Sequence, residues 1–179
     1  NALQANTTAN GNTALGRSAL YTNTTGATNV AVGKNALYAN TTASSNVGVG
    51  LSAGLHVTTG DDNVLIGVAA GASANGITTG TQNTCVGTNT STSAADGNYQ
   101  IILGANVTGQ ANYHFVFGNG GSHRVYNAFN SNASWTRSSD ERKKTNIADS
   151  TLGLDFINEL RPVTFNWKDS RDTPKTFIS

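Results

Sequence analysis

A glycine recurs at Gly16, Gly33, Gly50, Gly67, Gly87 and Gly104, so every interval is 17 residues except one of 20. Four residues before each glycine stands a side-chain amide: Asn12, Asn29, Asn46, Asn63, Asn83 and, at the last, Gln100. The residue directly before each glycine is aliphatic (Leu15, Val32, Val49, Ile66, Val86, Leu103), and a small or aliphatic residue precedes it in turn. The unit is therefore Asn-x-small-aliphatic-Gly. A period this short excludes helical repeats, which need roughly 33 residues or more, and leucine-rich repeats at roughly 20 to 29.

What fits is a coil of short strands and turns. Asn29-Val-Ala-Val-Gly33 is β-branched and bounded by turn formers. It is followed by Lys34-Asn-Ala-Leu-Tyr38, expected as a second short strand, and by the polar turn Ala39-Asn-Thr-Thr-Ala-Ser-Ser45. Stacked at about 4.8 Å per rung, such coils predict a mostly β chain, a parallel β-solenoid or β-roll roughly 29 Å long.

One coil cannot stand alone, since ordering its backbone costs roughly 1 to 2 kcal/mol per residue. Against this it buries four or five small apolar side chains at about 1.5 to 3 kcal/mol each. The side chains are small enough that the roll has a thin core, and its second face is expected to be buried against copies of itself as a homotrimer.

Composition agrees with a fibrous, surface-type protein: 179 residues, 12% charged, 20 glycines, 2 prolines and no methionine. A net charge of +1 gives no footprint for nucleic acid or anionic membrane. No 18-residue apolar run argues for membrane insertion, and no cofactor or metal is expected. Asn1-Ala-Leu3 aligns with Ser18-Ala-Leu20 and Asn35-Ala-Leu37, so the chain is expected to begin inside a repeat.

Several local features have bland readings. Cys85 occupies the small-residue slot and is expected to be a buried hydrophobe. The stretches at Asn6-Thr-Thr8, Asn23-Thr-Thr25 and Asn40-Thr-Thr42 have the form of glycosylation sequons but read as turns, lining up as ladders on one edge of the rod. Asp61-Asp62 reads as a solvated turn rather than a calcium site, and His56, His114 and His123 as surface or packing residues. The one longer interval, between Gly67 and Gly87, runs through residues 72–80 and predicts a loop on one face, a place for a ligand to touch.

After Gly104 the beat is expected to fade. Tyr113-His-Phe-Val-Phe117, a glycine-rich turn and His123-Arg-Val-Tyr126 predict a β-hairpin, with Phe115, Phe117, Tyr126, Phe129 and Trp135 sealing the open end of the solenoid. From Arg137 the composition shifts to the charged run Ser138-Ser-Asp-Glu-Arg-Lys-Lys144. A small α+β segment follows: Ser150 caps a helix carrying Leu152, Phe156, Ile157 and Leu160 on one face, Pro162 ends it, and Val163–Lys168 alternates as a strand.

Here a family resemblance becomes specific. Ser139-Asp140-x-Arg142-x-Lys144-Thr-Asn-Ile147, Leu152-Gly-Leu-Asp-Phe-Ile-Asn-Glu-Leu-Arg-Pro162 and Phe165-x-Trp-Lys168 resemble the start of the intramolecular chaperone of phage tailspikes and tail fibres, the S74 self-cleaving peptidase family. The upstream repeats are similar to the head repeats of trimeric autotransporter adhesins. The resemblance implies a trimeric virion fibre for host attachment, in which residues 1–107 are a solenoid shaft, 108–137 a hairpin cap or linker, and 138–179 the start of the chaperone. It also implies single-turnover autoproteolysis without an external substrate.

Carried onto this sequence, the resemblance makes Ser139 the nucleophile, Lys144 its base, Asp140 a supporting residue and Ser138-Ser139 the bond cut. A serine hydroxyl needs a neutral amine to take its proton, and Arg142 and Lys143 would lower the Lys144 pKa by like-charge repulsion. Ser138 and Lys143 share the same spacing; Ser139 is preferred because Asp140 follows it.

The implied partners are two further copies, a host-surface glycan or protein receptor, and other virion fibre or baseplate proteins, at an extracellular location on the virion. A bacterial trimeric surface adhesin remains an alternative. So does a piece of a glycan-cleaving tailspike whose catalytic domain lies outside this chain.

Overall fold

The computed structural model describes residues 1–130 and the backbone of 136–137. The chain divides into two compact units, Asn1–Ser139 and Asp140–Ser179. The sequence-predicted helix and strand at 150–168, and Trp135, lie outside the described residues.

In the first unit each Asn-x-small-aliphatic-Gly motif forms one three-residue strand: β1 Thr13–Leu15, β2 Val30–Val32, β3 Val47–Val49, β4 Val64–Ile66 and β5 Thr84–Val86. They are followed by β6 Ile101–Ala105, β7 His114–Asn119, β8 His123–Ala128 and β9 Thr136–Arg137. All nine lie in one sheet in chain order. From β1 to β7 the neighbours are parallel, which is the parallel β-solenoid expected from the period.

Register follows the repeat residue for residue. Ala14 pairs with Ala31, Ala31 with Gly48, Gly48 with Leu65, Leu65 with Cys85 and Cys85 with Ile102. The beat does not fade after Gly104, however. β7 stacks on β6 as a seventh rung, with Ile102 opposite Val116 and Gly104 opposite Gly118. The coil between them is shorter, its corner residues Asn98 and Asn112 being 14 apart.

The predicted hairpin is present, since β7 and β8 pair antiparallel from His114–Ala128 to Asn119–His123. Thus β7 is both last rung and first hairpin strand. The expectation that the hairpin aromatics seal the solenoid end is corrected in part. Phe117 and Phe129 are exposed, while Val116 continues the buried column and Tyr126 packs against the core. The reason is strand alternation: Val116 points inward, so Phe115 and Phe117 on either side cannot.

The second strand expected at Lys34–Tyr38 does not form; the segment is a turn. Asn35 and Leu37 adopt left-handed backbone, with φ of 58° and 49°, which an extended strand cannot contain. Ser18 and Leu20 repeat this one coil earlier, at φ 58° and 49°. The backbone still bonds to both neighbouring coils, Asn35 N–H to Arg17 O at 2.9 Å and Leu37 N–H to Ala53 O at 2.9 Å. The left-handed turn costs roughly 1 to 2 kcal/mol per residue. In exchange, Leu20 and Leu37 are fully buried.

The core keeps its volume by exchanging sizes between two columns. Where the strand slot holds Gly48, the corner Leu37 fills the space, and a Cβ on Gly48 would lie 2.8 Å from Leu37 Cγ. Further along, the strand slot holds Leu65 and the corner positions are Gly54 and Gly71, whose added Cβ atoms would lie 2.7 Å from Leu65 methyls. A large side chain enters from one wall or the other at each height, which keeps a narrow interior filled.

Candidate functional site

Strands β2 to β5 bury their middle residue and turn their two flanking side chains outward. The outward residues form two columns. One runs Thr13, Val30, Val47, Val64, Thr84, Ile101, Phe115; the other runs Leu15, Val32, Val49, Ile66, Val86, Leu103, Phe117. None of them is fully buried, and Leu15 is 67% exposed and Ile66 40%. Exposed Leu51 and Val68 widen the face beside the second column. The periodic motif named the residues of this face, but not the direction in which they point.

Polar groups are consumed inside the coils. Asn12, Asn29, Asn46, Asn63 and Asn83 form a continuous ladder, in which each Oδ1 accepts the backbone N–H of the amide residue one coil on. The distances are 2.9 Å for Asn29, Asn46 and Asn63, and 3.0 Å for Asn83 and Gln100. Each Nδ2 donates to a backbone carbonyl, as from Asn46 to Gly60 O at 2.9 Å. Only a side chain with an acceptor and a donor at this reach can bond both the N–H and the carbonyl that the next coil presents, hence the invariance across five coils. Gln100 is one carbon longer and turns back on its own coil, donating to Ser93 Oγ at 2.9 Å.

A second stack was expected on the edge of the rod and lies mostly within it. Asn23 Nδ2 donates to Asn6 Oδ1 at 2.9 Å and Asn40 Nδ2 to Asn23 Oδ1 at 2.7 Å, with Asn23 and Asn40 fully buried. These two amides are structural rungs, as the turn reading of their sequons requires.

The glycines Gly16, Gly33, Gly50, Gly67, Gly87 and Gly104 stack at one corner with φ between 125° and 134°. An added Cβ on Gly33 would meet the carbonyl of Gly50, and one on Gly50 the carbonyl of Gly67. The period is thus enforced by backbone approaching backbone.

Cys85 is buried in the strand slot, as expected. Burial pushes its thiol up to about 12, and the neighbouring Thr90 hydroxyl opposes this only in part. Their contact falls short of full hydrogen-bond geometry, since Thr90 Oγ1 has no partner by distance and angle.

The lengthened interval makes a bulge narrower than expected. It lies between Gly71 and Ile77, closed by Ile77 N–H to Gly71 O at 2.9 Å, with Ala74 and Asn75 exposed. Asp61 is tied to the coil before it, its Oδ1 accepting the Ser44 N–H at 2.7 Å. His56 is exposed beside the bulge, and His114 Nδ1 lies 2.9 Å from Asn112 O. Among the described residues no group of three or more His, Cys, Asp or Glu could hold a metal ion.

Ser138, Ser139, Asp140 and Lys144 lie outside the described residues. The strand before them is described: β9 pairs antiparallel with β8, Arg137 opposite Val125 and Thr136 opposite Tyr126.

Residues 139–177 match the family model Peptidase_S74, described as chaperone of endosialidase. That match spans Ser139, Asp140 and Lys144 and supports the chaperone-type reading of the C-terminal segment. No curated protein and no solved structure matches the chain. The chain is thus a parallel β-solenoid followed by a segment similar to the chaperone of endosialidase.

Proposed function

We propose that this chain belongs to a homotrimeric fibre of the phage tail-fibre kind, serving host attachment. In this reading residues 1–107 form the shaft, 108–137 its cap, and 138–179 the start of an intramolecular chaperone that brings three copies together. The observation that carries it is the outward strand face, apolar at nearly every height of seven stacked rungs. A soluble monomer rarely leaves a continuous apolar strip of this length in water. A partner that covers it must offer apolar groups at the same spacing of about 4.8 Å, and a further copy of the same chain does so. The similarity of residues 139–177 to the chaperone of endosialidase supports the assembly role.

The chaperone segment is released by one cut. Ser139 Oγ attacks the Ser138 carbonyl carbon and passes its proton to neutral Lys144, with Asp140 in support. The Ser139 nitrogen leaves as the amine, and water then hydrolyses the ester. The assembled fibre sits on the virion surface, joined to other fibre or baseplate proteins, and meets a glycan or protein receptor of the host.

Native mass spectrometry of the expressed chain tests both parts. The expected species before cutting has three times the 18.5 kDa of one chain. A fragment beginning at Ser139 is then lost, and Ser139→Ala or Lys144→Ala retains it in an intact trimer. A chain that stays at single mass when concentrated sinks the trimer. A fragment lost equally fast from Ser139→Ala sinks the dyad.

A further inference from the structure

The outward face poses a problem of alignment between copies. In the first six rungs its second column is Leu15, Val32, Val49, Ile66, Val86, Leu103, residues of similar size at one spacing. Two copies displaced by one coil would match aliphatic against aliphatic again, losing only the contacts at the ends. That column by itself attracts without fixing height, as a strand with uniform side chains fails to fix its pairing.

The last two rungs differ. Tyr99 and Tyr113 stack with ring centroids 4.8 Å apart and planes 8° from parallel. Phe115 lies 5.5 Å from Phe117 and 6.5 Å from Phe129 by ring centroids. Phe117 is 40% exposed and Phe129 60%. Phe115 and Phe117 continue the two columns, Phe115 registered with Ile101 and Phe117 with Leu103. Both tyrosines stand on left-handed backbone, at φ 56° and 62°, where earlier coils carry Gly11, Thr28, Ser45, Asp62 and Gln82.

We infer that the aromatic cluster of rungs six and seven, Tyr99, Tyr113, Phe115, Phe117 and Phe129, is the key that sets the axial register between copies of this chain. This rests on the homotrimer proposed above. Only when all copies are level do the wide aromatic rungs meet each other. A slip by one coil sets an aromatic rung against an aliphatic one, leaving gaps and exposed rings. Large aromatic anchors concentrated in one part of an otherwise even interface are where binding energy and specificity gather.

The test is disulfide mapping in the full chain. Chains carrying Val32→Cys are co-expressed with chains carrying Ile66→Cys, oxidised under native conditions, and the linked peptides are identified by mass spectrometry. In level copies these positions are two rungs apart, about 9.6 Å along the axis, beyond the roughly 7 Å that a disulfide spans between Cα atoms. With the native aromatics the expected links join equal positions. In a Phe115→Val/Phe117→Val background the 32–66 link rises by on the order of tenfold, as expected when two aromatic contacts that distinguish the registers are removed.

Phe117→Leu, which repeats the residue type of Leu103, gives a smaller rise and guards against loss of folding. A trimer that keeps only equal-position links in both backgrounds overturns the inference while leaving the trimer standing. An unaltered chain that is monomeric overturns the homotrimer, and the register key with it.

Discussion

Val57 stands one coil beyond Asn40 in the same column, and there the inner asparagine stack ends: Asn40 Oδ1 is buried without a hydrogen-bond partner. Asn23 Oδ1, one coil earlier, accepts from Asn40 Nδ2 at 2.7 Å. The two amides are chemically alike and equally buried, yet they differ in what their removal leaves behind. Asn40→Ala deletes one orphaned oxygen while creating another at Asn23; Asn23→Ala keeps the Asn40 orphan and strands part of its amide nitrogen. Asn23→Ala is therefore expected to be the more destabilising by about 1 to 3 kcal/mol, the cost of one unsatisfied buried polar group. Denaturant unfolding of the two variants measures the difference, and equal midpoints would contradict it.

The outer ladder predicts a gradient along the rod. Asn46→Ala leaves the buried Asn63 N–H without its acceptor, and the change is expected to cost about 2 to 4 kcal/mol. Asn12→Ala removes the same kind of contact at an end where Asn12 is only partly buried, so water can replace it. Its cost should be less than half as large in the same unfolding measurement.

Gly50→Ala is expected to disrupt a coil boundary. Its Cβ would lie 2.7 Å from the Gly67 carbonyl carbon, and its φ is 134°. Both terms are backbone, so no side chain can move aside, and a loss above roughly 3 kcal/mol is expected. Gly120→Ala is the control: φ is 74° and no atom lies within 4 Å of the added Cβ. There the loss should stay near 1 kcal/mol, the left-handed cost alone. Thermal unfolding by circular dichroism separates the two.

Cys85 gives a pH prediction with a definite sign. Its folded thiol ionises only near 12, whereas the unfolded thiol does so near its ordinary value of 9.0. Between those values the unfolded chain releases a proton that the folded chain retains, so stability falls as pH rises through that window. Below pH 9 this contribution is constant. Cys85→Ala removes the slope, so the stability difference between the two chains should change from pH 9 to 12 and not from pH 6 to 8. Native Cys85 should also resist alkylation at pH 8, its thiolate being scarce and enclosed.

The repeat was legible because each of its constant residues does one thing that no other type can. Asn46 bonds a carbonyl and an N–H of the next coil at once, and Gly50 lets two carbonyl corners touch. The turn at Lys34–Tyr38 was misread as a strand because its left-handed residues, Asn35 and Leu37, are held by burial and by bonds to other coils rather than by local preference. The seventh rung was missed because its coil is three residues shorter than the 17-residue period and carries no amide at the expected place. Val116 and Gly118 were the available signals, an aliphatic slot and a corner glycine in the right order. The outward columns were hidden in plain composition, since alternation over three residues does not reveal which side faces water.

The Ile77 N–H to Gly71 O bond pinches the bulge shut at its neck, so the coil resumes its path with Ile77 in the buried slot that Val57 fills one turn before. Extra residues at 72–76 therefore hang sideways and leave the spacing of the rungs untouched. A shaft built this way can be decorated at that point with foreign peptide, or lengthened there by natural insertion, without relearning how to stack.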